Sequence, residues 1–144
     1  MTVAATLLAL AEIGAAIATG QRITPRALVD SPHRYIGKLV VLSDIACVDN
    51  PRDGYTCEAQ VGGQMLRIDA LALGDKTTPE ISRRLIGDCK GTANLDRNVC
   101  RIEAEFTPAT ARTEIIETDR GTQSVVLIFS RRIEMYERSR RKGH

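Results

Sequence analysis

The chain has 144 residues, 20 Lys and Arg against 18 Asp and Glu for a net charge of +2, with 3 Tyr, 2 Phe and no Trp. That length suits one domain with its own core, which must be filled by aliphatic side chains. So small a charge surplus excludes a field strong enough to draw the whole molecule to nucleic acid or to an anionic membrane.

The first segment, MTVAATLLALAEIGAAIATGQ, carries an apolar run from Val3 to Leu10 and small residues ending in Ala16-Ile17-Ala18. It resembles a secretory leader with an A-x-A cleavage site, so residues 1–18 are expected to be a signal peptide. Two features oppose this: no Lys or Arg precedes the apolar run, and Glu12 interrupts it. A start codon placed downstream of a basic stretch would explain the first. The alternative is an amphipathic helix packed on the domain. Either way the run is too short and too broken for a permanent membrane anchor. The domain is expected to span 19–137. Residues 138–144 then form a basic tail, either simply solvated or suited to a polyanion; from residue 131 to the C-terminus, Arg131, Arg132, Arg138, Arg140, Arg141 and Lys142 face only Glu134 and Glu137.

After the leader, ITPRALVDSPHRYIGK reads as an irregular or short helical stretch punctuated by Pro25 and Pro32. KLVVLSDIACV is a long strand of β-branched and apolar residues. In NPRDG, Pro51 restricts φ and Asp53-Gly54 tolerates a tight reversal. YTCEAQV alternates, with Tyr55, Cys57, Ala59 and Val61 on one face and Thr56, Glu58 and Gln60 on the other. Gly62-Gly63 turns the chain into QMLRIDAL, where Leu66, Ile68 and Ala70 point inward and Arg67 and Asp69 outward. TTPEISRRLIGDC predicts a helix: Thr78 is its N-cap, Pro79 its first residue, and Ile81, Leu85, Ile86 and Cys89 its apolar stripe. VCRIEAEF returns to alternation, with Glu103 and Glu105 outward. ARTEIIETDRGTQ suggests a small hairpin arm, and SVVLIFSRRIEMY the last long strand.

The four cysteines fall as Cys47 with Cys57 and Cys89 with Cys100. These spacings are too wide for the short C-x2-4-C knuckles of structural zinc sites, and there is no C-x-x-C for thiol redox chemistry. An even count behind a leader-like segment favours two disulfides, with reduced core thiols or a metal site as alternatives.

Three meandering strands, a helix, then two or three strands is the order of the OB-fold, which this chain resembles over roughly residues 34–137. The lead-in HRYIGKLVVLSD is also similar to the opening of many small bacterial OB domains. The resemblance implies a mainly β, five-stranded Greek-key barrel with one helix between strands 3 and 4, preceded by the signal-like segment. It places Cys47 and Cys57 at the mouth of the first hairpin, and lets Cys89–Cys100 pin the helix to the barrel. It also implies binding on the face of strands 2 and 3 and on the adjoining loops, here 48–54 and 107–123. The candidate ligand-binding residues are Asp49, Asn50, Arg52, Asp53, Tyr55, Glu58, Arg67 and Asp69.

Three functions follow. The favoured one is an exported, disulfide-stapled, non-catalytic binding module for a protein, peptide or glycan, with no cofactor and no metal. The second is a nucleic-acid-binding module using Arg67, Arg101 and the basic tail; single aromatic Tyr55 and evenly matched charges weaken it. The third starts from LRIDALALGDKTTPE, which is similar to the first active-site strand of staphylococcal-nuclease-type enzymes. That likeness would give Arg67 to phosphate, Asp69 to calcium and Glu80 to the base role, but LDRNVCR lacks the second basic motif such chemistry needs. His33 and His144 have no nucleophile beside them in sequence, and no phosphate-binding Gly-rich loop is present.

Overall fold

The computed structural model describes residues 17–138; most of the leader-like segment and nearly all of the basic tail lie outside the described residues. The chain is mainly β, with seven strands in one mixed sheet and two short α-helices among the described residues.

The strands are β1 (Gln21–Ile23), β2 (Val40–Asn50), β3 (Gly54–Val61), β4 (Gln64–Leu73), β5 (Arg101–Phe106), β6 (Thr110–Thr118) and β7 (Gly121–Tyr136). Helix α1 is Pro25–Asp30 and α2 is Pro79–Leu85. Both helices start where an Xaa-Pro step supplies a cap and a preset φ: the Thr24 hydroxyl accepts from the Ala27 N–H at 3.1 Å, and Thr78 accepts from Ile81 at 3.3 Å.

β2, β3 and β4 form an antiparallel meander, β4 runs parallel to β7, and β7 and β5 pair antiparallel. β5 then pairs back to β2, so the path of five strands returns on itself. β2 can serve β1, β3 and β5 because it is long and irregular: its pairing with β5 shifts register between Leu42 and Ile45. β6 folds against the first half of β7 as the expected hairpin arm, and short β1 adds a parallel edge where an irregular stretch was expected.

Inside the circuit, Leu42, Ile45, Leu66, Ile68, Ala104, Ile128 and Met135 are at most 1% exposed. The strict alternation of β3, β4 and β5 is the cause: with one set of side chains committed inward, register cannot slip without reversing every face.

Three expectations need correcting. α2 stops at Leu85, and Ile86, which helical spacing put on the apolar stripe, is 73% exposed. The chain turns instead so that Cys89 reaches the core without it. Both disulfides are present, but Cys47 and Cys57 do not lie at the hairpin mouth. They are directly paired residues with Cα atoms 4.0 Å apart, 1% and 0% exposed, and three further pairs separate them from the turn. The strand ladder continues through polar Asp49 and Asn50 because their backbones still find partners, so β2 outruns its apolar stretch. Finally, Glu103 and Glu105 do face away from the core, yet are only 4% and 2% exposed, because residues 19–22 and Tyr136 cover them.

The second bridge, Cys89–Cys100, has Cα atoms 5.6 Å apart and ties the segment after α2 to the start of β5. That segment is also fixed to β2 by the Asp49 N–H donating to the Cys89 carbonyl at 2.9 Å and the Gly91 N–H to the Asp49 carbonyl at 2.6 Å.

Candidate functional site

The outer face of β3 and β4 gathers polar side chains because each lies opposite its partner across the ladder: Thr56 faces Asp69, and Glu58 faces Arg67. The Thr56 hydroxyl donates to Asp69 Oδ1 at 2.7 Å and accepts from Asn50 Nδ2 at 3.2 Å. Arg67 Nε donates to both Asp69 oxygens, at 3.1 and 3.2 Å, and its guanidinium lies 3.8 Å from Asp53 Oδ2. Asn50 also approaches Asp53, at 3.5 Å, and accepts from the Arg52 N–H at 3.3 Å. One connected network thus runs from the β2–β3 turn onto the sheet.

Its centre is Thr56, fully buried although it belongs to the outward set. Alternation put it on this face; only the cross-strand register shows that it joins turn to sheet. The turn itself depends on Gly54, whose φ of 92° suits glycine and where a Cβ would fall against the Ala70 carbonyl.

Glu58 stands beside this network without joining it. It is half-buried, Arg67 opposite it is committed to Asp69 and Asp53, and no hydrogen bond or ion pair to the Glu58 carboxylate occurs among the described residues. Burial pushes its carboxyl above the usual carboxylate range; Arg67 offsets part of this and the Asp69 charge adds to it.

The remaining candidates sit differently. Tyr55 has the parity of Cys57 and packs against the core, and burial, followed by nearby Asp49, raises its phenol. Asp49 is pinned through its backbone to the Cys89–Gly91 segment. Arg52 has an exposed side chain and enters the network only through its main chain.

Residues proposed for other chemistries are not brought together. Arg101 is bound to Asp44 at 2.8 Å, and Arg138 reaches the same carboxylate at 3.4 Å. Glu80 pairs with Arg84 at 3.2 Å, and Arg84 also binds Glu137, so the Glu80 carboxylate is directed to that cluster rather than to Asp69. Among the described residues, no group of three or more His, Cys, Asp or Glu is placed to hold a metal.

Sequence patterning missed a second polar centre on the outside of β5. Arg22 holds Glu103 with two bonds, at 2.9 and 3.2 Å. Glu105 accepts from the Thr19 and Gly20 N–H groups, each at 2.8 Å, and from the Tyr136 hydroxyl at 2.9 Å. Burial works against the Glu105 charge, but the donors from Gly20, Thr19 and Tyr136 outweigh it and hold the carboxyl below its ordinary value. Beside Glu105 opens an apolar cavity of about 480 Å³, lined among others by Ile36, Leu39, Phe106 and Pro108.

No family model matches the chain. No characterised protein matches its sequence. Among solved structures it is similar to a protein assigned as an aspartyl-tRNA synthetase from Leishmania major Friedlin, at 14% identity and a TM-score of 0.37. The likeness covers 99% of this chain but 28% of that one, and at this level it carries no argument about function.

Proposed function

We propose that residues 19–137 form an OB-fold-like barrel that works outside the cytoplasm as a non-catalytic binding module, taking a protein or peptide ligand on the outer face of β3 and β4. The closed five-strand path, with α2 between its third and fourth members, supports the barrel. Two disulfides, with no helix among the described residues long and apolar enough to cross a membrane, suit an oxidising compartment.

The observation that carries the binding function is Glu58: a half-buried carboxylate without a partner among the described residues, beside a network whose other members are already bonded. A fixed network lowers the ordering cost of binding, and an unpaired acceptor beside it specifies what the ligand must bring. Asp53, Glu58 and Asp69 surround one guanidinium, Arg67, so the face favours a cationic or N–H-rich segment over phosphate. A glycan would present only neutral hydroxyl donors to the same group.

The test is an NMR titration of 15N-labelled protein with Lys- and Arg-rich peptides, neutral oligosaccharides and single-stranded oligonucleotides. Shifts confined to Thr56, Glu58, Arg67 and Asp69 with the basic peptides, and abolished in Glu58→Gln, are expected. Tight oligonucleotide binding that falls by orders of magnitude between about 50 and 200 mM salt would instead make the module a nucleic-acid binder.

A further inference from the structure

Glu105 is 2% exposed and its donors hold its carboxyl below the ordinary value, yet none of the ion pairs among the described residues includes it. Its partners are neutral donors: two backbone N–H groups and a phenol. A buried carboxylate with no cation in direct contact is uncommon, because burial penalises the charge; among the described residues Lys76 and Arg22 act on Glu105 only from beyond ion-pair distance. One of the two N–H donors belongs to Thr19, the residue that follows Ala16-Ile17-Ala18.

We propose that the chain is cut between Ala18 and Thr19, and that the new α-ammonium of Thr19 is the missing counter-ion of Glu105. The inference rests on the export reading and the leader boundary above and goes further, assigning the fate of the new terminus. An endopeptidase that selects small residues at the first and third positions before the cut hydrolyses the Ala18–Thr19 amide. The carbonyl carbon of Ala18 takes the hydroxyl of water and leaves as a carboxylate; the Thr19 nitrogen, protonated, becomes an ammonium. That nitrogen already lies 2.8 Å from Glu105 Oε2, so the donor distance needs no rearrangement and only its charge changes.

The surroundings fit this role. Ile17 is 72% exposed, so the residues just before the cut add little to the core. Gly20 brings the main chain close to β2: a Cβ there would lie 2.9 Å from the Leu39 carbonyl oxygen. That approach aims the Thr19 and Gly20 nitrogens at one carboxylate oxygen. The other charged or titratable groups facing this spot are Glu103 and Arg22, already paired with each other, Tyr136 and Glu134 from β7, and Lys76 after β4.

Two measurements test the inference. First, N-terminal sequencing and intact mass of the full-length protein isolated from its native cell are expected to show Thr19 as the first residue. Second, in that protein the α-amino group, followed by 13C-labelled reductive methylation and NMR, is expected to titrate about one unit or more above the ordinary 7.7–8.0. In Glu105→Gln the titration should return to that range. Should Glu105→Gln fail to fold, the Glu105 carboxyl is followed instead by 13C NMR, and should titrate lower in the chain starting at Thr19 than in one starting at Ile17. An α-amino group indifferent to Glu105, or equal carboxyl titrations, overturns the inference. A protein exported with both bridges but cut at another bond overturns this inference alone. A chain retaining its leader with four alkylatable thiols overturns the export reading as well.

Discussion

Removing the Cys47–Cys57 bridge by the paired change Cys47→Ala and Cys57→Ala should destabilise the fold while leaving the binding face in place. The bridge closes a loop with a sequence separation of 10, for which the chain-entropy relation gives about 2.7 kcal/mol at 25 °C. Both cysteines are buried in the core, so losing two sulfur atoms adds a cavity and transfer cost of about 1–2 kcal/mol. The expected total is about 4 kcal/mol, a large part of the 5–15 kcal/mol typical of a domain. With a urea m-value of about 2 kcal/mol per M, the unfolding midpoint should fall by about 2 M. The Thr56–Asp69 and Arg67–Asp69 contacts belong to the β3–β4 pair and do not cross the bridge, so ligand-induced shifts at Glu58 and Arg67 should persist in the folded variant. A fall of less than about 0.5 M at unchanged m-value would refute the loop-closure reasoning. Lost binding with unchanged stability would make the bridge a clamp on the 51–53 turn, which its place three pairs from that turn argues against.

Thr56→Val keeps the shape but removes the hydroxyl joining Asn50 to Asp69; it should cost about 1–2 kcal/mol in urea unfolding and broaden the amide signals of Arg52 and Asp53 in the turn. Gly54→Ala places a side chain at φ 92° against the Ala70 carbonyl and should lower stability by about 1–3 kcal/mol in thermal melts, whereas Gly63→Ala, where a Cβ would meet nothing within 4 Å, should cost less. Glu58→Gln should raise stability near pH 7 while weakening peptide binding. Because the folded carboxyl sits above its unfolded value, the folded state holds the proton more tightly, and wild-type stability falls as pH rises through the unfolded and then the folded value. The variant should lack that fall in urea unfolding followed from pH 4 to 7; an unchanged slope would assign it to another group.

Strands β2 to β7, their facing residues and both cysteine pairings were legible in the sequence because each rests on local rules, whereas short β1 was not. Alternation in YTCEAQV and QMLRIDAL assigns faces, Gly62-Gly63 turns them together, and Thr78-Pro79 starts a helix. Where the rule is local but the outcome is not, legibility ends. Helical spacing extends the apolar stripe to Ile86, but the chain leaves the helix after Leu85 because Cys89 must reach Cys100 and the Asp49 backbone. The candidate residues Asn50, Asp53, Arg67 and Asp69 were found by face and loop, yet their connection depends on Thr56, whose importance comes from a register that no single strand carries.

Glu103 and Glu105 show the same limit in its strongest form. Period-2 alternation separates the two faces of β5, and the usual inference is that the polar face meets water. That inference holds only while the sheet has one covering layer. Here residues 19–22 and Tyr136 form a second, so two carboxylates that look like surface residues become buried charges with opposite needs. Glu103 is satisfied by Arg22, a residue 81 positions away in sequence. Glu105 receives only neutral donors from the described chain, one of them the Thr19 nitrogen at the end of the leader-like segment. The leader motif and the buried acid say little separately, since small-residue triplets are common and outward glutamates more so. Their meeting at 2.8 Å joins a processing signal to an electrostatic deficit, and each gives the other a physical reason to be there.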